Sequence, residues 1–341
     1  MQKDITEKEL VQCNDVFADI YNEGIFGGKK ILREEDLLPL PTESLTRNMD
    51  GTVRQGFRDV RKADRRSGTY RLIWNLENQS GTDNTMPERV MGYEYASYEE
   101  QIKALMAENR KVGNPAVIKR IHDDQKLVPV ITAVLNWGEK EWSGPRHLHE
   151  MLKFPEGLEE ELRPMTADYS FHLVEMGSLP EEVRKRFQSD FRVLAEYAAT
   201  RREPEKWEAF LRKYPKKLDH PEELFDALKA VAGDERYEQI AEQLTKEEKE
   251  EGVRMCVVAE KLERIGIEKG RMEERANTER LEKRVEKEKS RAEREKSRAE
   301  KEKKRAEEEK HRAEEEKHRA DVAEARVIML ERELERLKGM S

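Results

Sequence analysis

The chain has 341 residues, of which 41% are charged and 36% hydrophobic, against globular averages of about 25% and about 45–50%. That length admits one large domain or two ordinary ones, but so polar a composition excludes a chain that forms core throughout. Residues 1–245 carry 37 Lys+Arg against 46 Asp+Glu, which excludes a protein that coats nucleic acid by bulk charge, since such affinity comes from phosphate neutralisation.

The first segment, Ile5 to Ile25, reads as a helix, with Leu10, Cys13, Phe17, Ile20 and Tyr21 at helical spacing before the breakers Gly24, Gly27 and Gly28. Lys29 to Leu38 fits a short strand, and Pro39 to Gly56 reads mostly as loop. Phe57 to Ala63 and Thr69 to Leu76 read as the strands of a hairpin turning at Ser67-Gly68. Pro87 suits the first turn of a helix whose apolar stripe includes Val90, Tyr98, Ile102 and Leu105. Leu127 to Leu135 is nearly all apolar, as a strand covered on both faces would be. A further strand near Tyr169 to Met176 completes an α/β domain over residues 1–178.

Residues 179–270 read as an accessory helical region, with helices at Leu179–Thr200, Glu203–Tyr214, Pro221–Val231 and Asp234–Leu244 punctuated by Pro or Gly. Residues 271–341 read as a long charged helix. Beyond Glu286 a seven-residue repeat runs from EKSRAER to EKHRADV, with alanine at 292, 299, 306, 313 and 320. Glu, Lys, Arg and Ala are strong helix formers, yet one small apolar residue per heptad makes a weak coiled-coil seam. The tail is therefore either an isolated solvated helix or a homo-oligomer contact through its apolar ends, Leu281/Val285 and Val327/Leu330/Leu334/Leu337.

Cys13 and Cys256 form no CxxC pair and no metal-ligand spacing, so neither a disulfide framework nor a zinc module is expected, and a reducing, cytoplasmic compartment fits. No apolar stretch approaches the roughly 20 residues of a spanning helix, so no membrane association is expected.

Metal-assisted phosphodiester hydrolysis needs hard oxygen ligands converging on one point and a group that positions water. Asp59 and Glu77 each lie nine residues from Gly68, so a turn centred there sets them opposite each other, within a cross-strand reach of about 5 Å. Gln79 projects on the Glu77 face and can orient water, whereas Asn78 points the other way and offers at most its carbonyl. Arg54, Arg58, Arg61, Lys62, Arg65, Arg66 and Arg71 cluster on this hairpin as a local phosphate footprint. The bland alternative is a solvated hairpin with weak ion pairs. Arg89 and Tyr93 share a helix face that either touches phosphate or packs on the core. His147 and His149 read as structural or solvated, and Trp137 and Trp142 as packing residues.

The run FRDV, then LIWNLENQSGTDNTMPERVMGYEYASY, then a buried strand and NWGEKEW, resembles the PD-(D/E)XK nuclease family transposases, which include the recombination-promoting (Rpn) nucleases. GVRMCVVAEKLERIGIEKG resembles the end of such proteins. The resemblance implies a restriction-endonuclease-like core, with a mixed sheet flanked by helices, and Mg²⁺- or Mn²⁺-dependent DNA cleavage. It assigns Asp59 and Glu77 as catalytic metal ligands and Gln79 as the replacement for the motif lysine. Asp15 on the opening helix is the best candidate for a further ligand, with Asp19 the alternative. Arg58, Arg61, Lys62 and Arg89 would contact DNA. Two other functions stay open: a weakly active or inactive nuclease-fold scaffold using its tail to oligomerise, and, ranked last, strand transfer.

Overall fold

The structure is a computed structural model that describes residues 3–47, 53–111 and 121–338. It divides into two compact units, Met1–Ile265 and Gly266–Ser341. In the first unit the chain opens with α1 (Lys3–Gln12) and α2 (Asn14–Asp19), followed by a π-helical turn at Ile20–Ile25. The single helix expected here is interrupted at Cys13, whose backbone is extended at φ −62°, ψ 135°. Lys62 holds the interruption open: its Nζ donates to the Gln12 carbonyl at 2.5 Å and to Asn14 Oδ1.

Strand β1 is only Leu37–Pro39. The stretch expected to be loop contains a two-stranded antiparallel ribbon, β2 (Glu43–Arg47) with β3 (Val53–Phe57). The segments ESLTR and VRQGF show no clean apolar/polar alternation, so the strand pattern is not legible there. The chain continues through β4 (Val60–Arg66), β5 (Thr69–Gln79), α3 (Met86–Lys111), β6 (Val130–Asn136), the short α4 (Glu159–Leu162) and β7 (His172–Glu175). The sheet runs β1-β4-β5-β6-β7, antiparallel from β1 to β5 and parallel from β5 to β7.

Period-two alternation divides the sheet between two helical layers. Val60, Trp74, Leu76, Ala133, Leu135 and Val174 face the main core, where Tyr21 meets Trp74 at a ring separation of 4.8 Å. Val134 faces the other way, packing with Met86 and Val90 of α3 and with Trp142 and Phe171. Seven further helices follow: α5 (Glu181–Arg186), α6 (Phe191–Thr200), α7 (Pro204–Lys213), α8 (Pro221–Ala232), α9 (Arg236–Glu242), α10 (Lys246–Glu251) and α11 (Met255–Lys338). The main core runs continuously from Leu10 to Leu262, so residues 179–262 share their apolar interior with the sheet rather than enclosing a separate one. The expected Leu179–Thr200 helix is two helices, divided where Gln188 and Ser189 bond to Asp19.

In the second unit every described side chain from Ile267 to Glu335 is exposed. With nothing buried there, that part of α11 draws its stability from helix propensity and pairs such as Lys283–Glu279 at 2.6 Å. Deleting Glu286–Ser341 is therefore expected to leave the melting temperature of residues 1–265 unchanged within about 2 °C. Loss of a cooperative transition on truncation would overturn this. No helix among the described residues is long and apolar enough to cross a membrane.

Candidate active site

The register of the β4–β5 hairpin decides which side chains meet. Ser67 and Gly68 both have positive φ, 50° and 84°, as a two-residue turn matched to strand twist requires. Beside the turn, Arg66 pairs with Thr69 and Arg65 with Tyr70, but beyond it Asp64 pairs with Leu72. Arg71 is thus an extra residue, and this bulge shifts the pairing by one. From there the register continues to Val60↔Leu76, which sets Asp59, in the bend before β4, opposite Glu77. Without Arg71 as a bulge, Leu76 would stand there, and a one-residue slip turns each strand's side chains over.

Asp59 and Glu77 lie side by side. Asp59 Oδ2 accepts the Asn78 N–H at 2.7 Å, and Asp59 Oδ1 pairs with Lys8 Nζ at 2.8 Å. Glu77 is 1% exposed. Its Oε2 accepts from Arg89 Nη2 at 3.3 Å, whereas its Oε1 makes no well-formed hydrogen bond among the described residues. Burial first, and then the Asp59 charge, push the Glu77 carboxyl up to about 8, against the opposing pull of Arg89, the Asp59 main chain and Arg58. Without a further cation this carboxyl is mostly protonated at neutral pH.

Helix α3 supplies the wall opposite the carboxylates. Arg89 Nη1 donates to Asp83 Oδ2 at 2.7 Å and its Nη2 to the Tyr93 hydroxyl at 3.0 Å. Burial works against the Arg89 charge, but the bonds to Asp83 and Tyr93 raise its pKa. Arg58 Nη2 donates to the Tyr93 carbonyl at 2.7 Å and its guanidinium lies over the Tyr93 ring at 5.5 Å, while its Nε and Nη1 have no hydrogen-bond partner among the described residues. Further along α3, Glu94 accepts from Thr132 at 3.2 Å and is pushed up to about 7 by burial. The sheet face under α3 is thus polar through Asn75, Glu77 and Thr132, although β6 reads as nearly all apolar. Asp83 and Lys8 escape sequence reasoning, while the polar spacing Arg89, Tyr93, Ser97 on a sheet-covering helix is a legible signal.

Other expected site residues lie elsewhere or are internal. Gln79 is partly buried on the Glu77 face, and its carbonyl accepts from Trp137 N–H at 2.8 Å. Asp15 is not drawn to the carboxylate pair: its Oδ1 is 2.9 Å from His220 Nε2. Asp19 Oδ2 accepts from Gln188 N–H, Ser189 N–H and the Ser189 hydroxyl at 2.7–2.8 Å. The surface phosphate footprint expected of Arg58, Arg61 and Lys62 needs correction. The three are only 2%, 4% and 2% exposed, because β4, which carries Arg61 and Lys62, is covered on both faces rather than being half of a surface hairpin, and Arg58 just before it is turned onto the Tyr93 carbonyl of α3. Arg61 pairs with Glu100 at 2.7 Å and with Ser97 at 3.2 Å. Of the seven hairpin cations, Arg65 and Arg71 are exposed and Arg66 is turned to Asp36 at 2.9 Å, while the Arg54 side chain lies outside the described residues. His147 and His149 tie their loop to Asp168 and to the Thr166 carbonyl.

Two carboxylates abreast, one holding an unpartnered oxygen in a buried setting, fit a hard divalent cation better than they fit each other, since like charges this close raise each other's cost. No family model, curated protein or solved structure matches the chain.

Proposed function

We propose that the chain is a divalent-metal-dependent DNA endonuclease of the PD-(D/E)XK type, with Asp59 and Glu77 holding Mg²⁺ or Mn²⁺. The observation that carries this reading is the buried Glu77 carboxyl beside Asp59, whose Oε1 makes no well-formed hydrogen bond to any described residue. When bound, the metal would activate water and polarise the phosphate. Gln79, on the same strand face, is suited to orient that water. Arg89 is the cation best placed for a phosphate oxygen, because Asp83 and Tyr93 fix its guanidinium beside Glu77. Its two remaining ties leave it anchored if Glu77 turns to a metal.

The order of the elements supports the same reading: an opening helix, an antiparallel pair with Glu77 on one strand and Asp59 just before the other, a covering helix and a parallel strand. A second reading, a nuclease-fold scaffold, draws on Lys8 and Arg89, which already occupy one oxygen of each carboxyl group. Plasmid cleavage separates them. Full-length protein is expected to nick supercoiled plasmid with Mg²⁺ and not with EDTA, and Asp59→Ala is expected to fall to the EDTA level while keeping its circular dichroism. Equal nicking by wild type and Asp59→Ala would overturn the endonuclease reading, and absence of nicking by the wild type would favour the scaffold.

A further inference from the structure

We propose that Cys13, His220 and Glu223 form a second, separate site for a divalent transition metal of the zinc class, joining the break between α1 and α2 to the start of α8. One ligand atom from each residue lies within 4.8 Å of the others, and all three side chains are partly buried. Cys13 lies 207 residues before His220 in sequence, so the fold alone brings it to the neighbouring His220 and Glu223.

Local structure positions each donor. Cys13 stands at the extended break between α1 and α2, where its thiol donates to the Glu9 carbonyl of α1 at 3.8 Å and lies within hydrogen-bonding reach of the His220 ring. The break is itself held by Lys62 from β4, through bonds to the residues on both sides of Cys13. His220 directly precedes α8, whose first residue is Pro221, and its N–H is fixed by Asp190 Oδ2 at 2.7 Å. Glu223 lies within the first turn of the same helix, beside the His220 ring. His220 Nε2 meets Asp15 Oδ1 at 2.9 Å, leaving Nδ1 as the donor to a metal. A carboxylate on the far nitrogen of a ligating histidine fixes its tautomer and raises its basicity. Asp15, expected at the nuclease centre, would act here as that orienting partner.

The donor set decides the metal class. Thiolate, imidazole and one carboxylate suit Zn²⁺ or Co²⁺ in a tetrahedral arrangement completed by water, whereas Mg²⁺ takes oxygen ligands. Binding would displace the protons of the Cys13 thiol and of His220.

Cobalt titration of the reduced, full-length protein tests this, because only a thiolate ligand produces a near-ultraviolet sulfur-to-cobalt charge-transfer band. One equivalent of Co²⁺ is expected to develop the band, and Zn²⁺ to bleach it. Cys256→Ser is expected to keep the band and Cys13→Ser to lose it. Glu223→Gln, which leaves the thiol and the packing in place, is expected to weaken Co²⁺ binding by roughly tenfold or more. Its circular dichroism reports folding should Cys13→Ser fail to fold. Cobalt binding at Asp59 and Glu77 gives no such band, so the two sites are read apart. Absence of the band in the wild type, or its persistence in Cys13→Ser, would overturn the proposal.

Discussion

Glu77→Gln is expected to drop plasmid nicking to the EDTA level and, measured without divalent metal at pH 8, to raise the melting temperature. The two effects share one cause. Burial and the Asp59 charge push the folded-state carboxyl up to about 8, while in the unfolded chain it titrates near the ordinary value of about 4.3. Between those values the unfolded chain releases the proton and the folded protein keeps it. Stability from this group is therefore complete below about pH 4 and is lost as pH rises through about 8, by a few kcal/mol. Glutamine keeps the shape and carries no proton to lose, and Arg89 retains Asp83 and Tyr93. The gain over wild type should thus be near zero at pH 4.5 and grow to roughly 5 °C or more at pH 8. Mg²⁺ should stabilise wild type at pH 8 and leave Glu77→Gln unaffected. An equal or lower melting temperature for Glu77→Gln at pH 8 would show that this carboxyl is ionised without strain and that its site asks for no cation.

The carboxylate pair was legible because hairpin pairing depends on residue counts, and counting from Gly68 sets Asp59 opposite Glu77. That count succeeds through a cancellation that the sequence does not advertise: the turn is centred between Ser67 and Gly68, and the Arg71 bulge restores the lost half-step on each strand. The basic residues were misread for a related reason. Alternation shows which residues share a strand face, but not whether the opposite face is solvent or a second helical layer. Arg61 and Lys62 point to opposite faces of β4, and each meets a helix, Arg61 at Glu100 and Lys62 at the Gln12 carbonyl. The partnership of Asp15 with His220 spans most of the first unit and follows from α1 packing on α8. No local pattern encodes that, which is why Cys13, with no metal-ligand spacing of its own, can still stand within reach of a histidine and a glutamate.

Asp19→Ala is expected to cost on the order of 3–5 kcal/mol of unfolding free energy, more than any surface change in this protein. Asp19 is 5% exposed, and one of its oxygens accepts three hydrogen bonds, from Gln188 N–H, Ser189 N–H and the Ser189 hydroxyl. Alanine would strand the buried Ser189 N–H and the partly buried Gln188 N–H at the junction of α5 and α6, between Phe187 and Phe191, which are themselves buried. Asn keeps an acceptor oxygen at nearly the same volume, so Asp19→Asn should retain most of the stability that Ala loses. The same pair of variants decides between the two roles this aspartate could have. A metal ligand at the nuclease centre would lose cleavage in both variants at little cost in stability, since ligand carboxylates are freed from repulsion when removed. A structural acceptor predicts the reverse: a urea midpoint lowered strongly by Ala and weakly by Asn, with Mg²⁺-dependent nicking by Asp19→Asn at the wild-type rate under folded conditions. Urea midpoints unchanged in Asp19→Ala would refute the structural role and return Asp19 to the list of metal ligands.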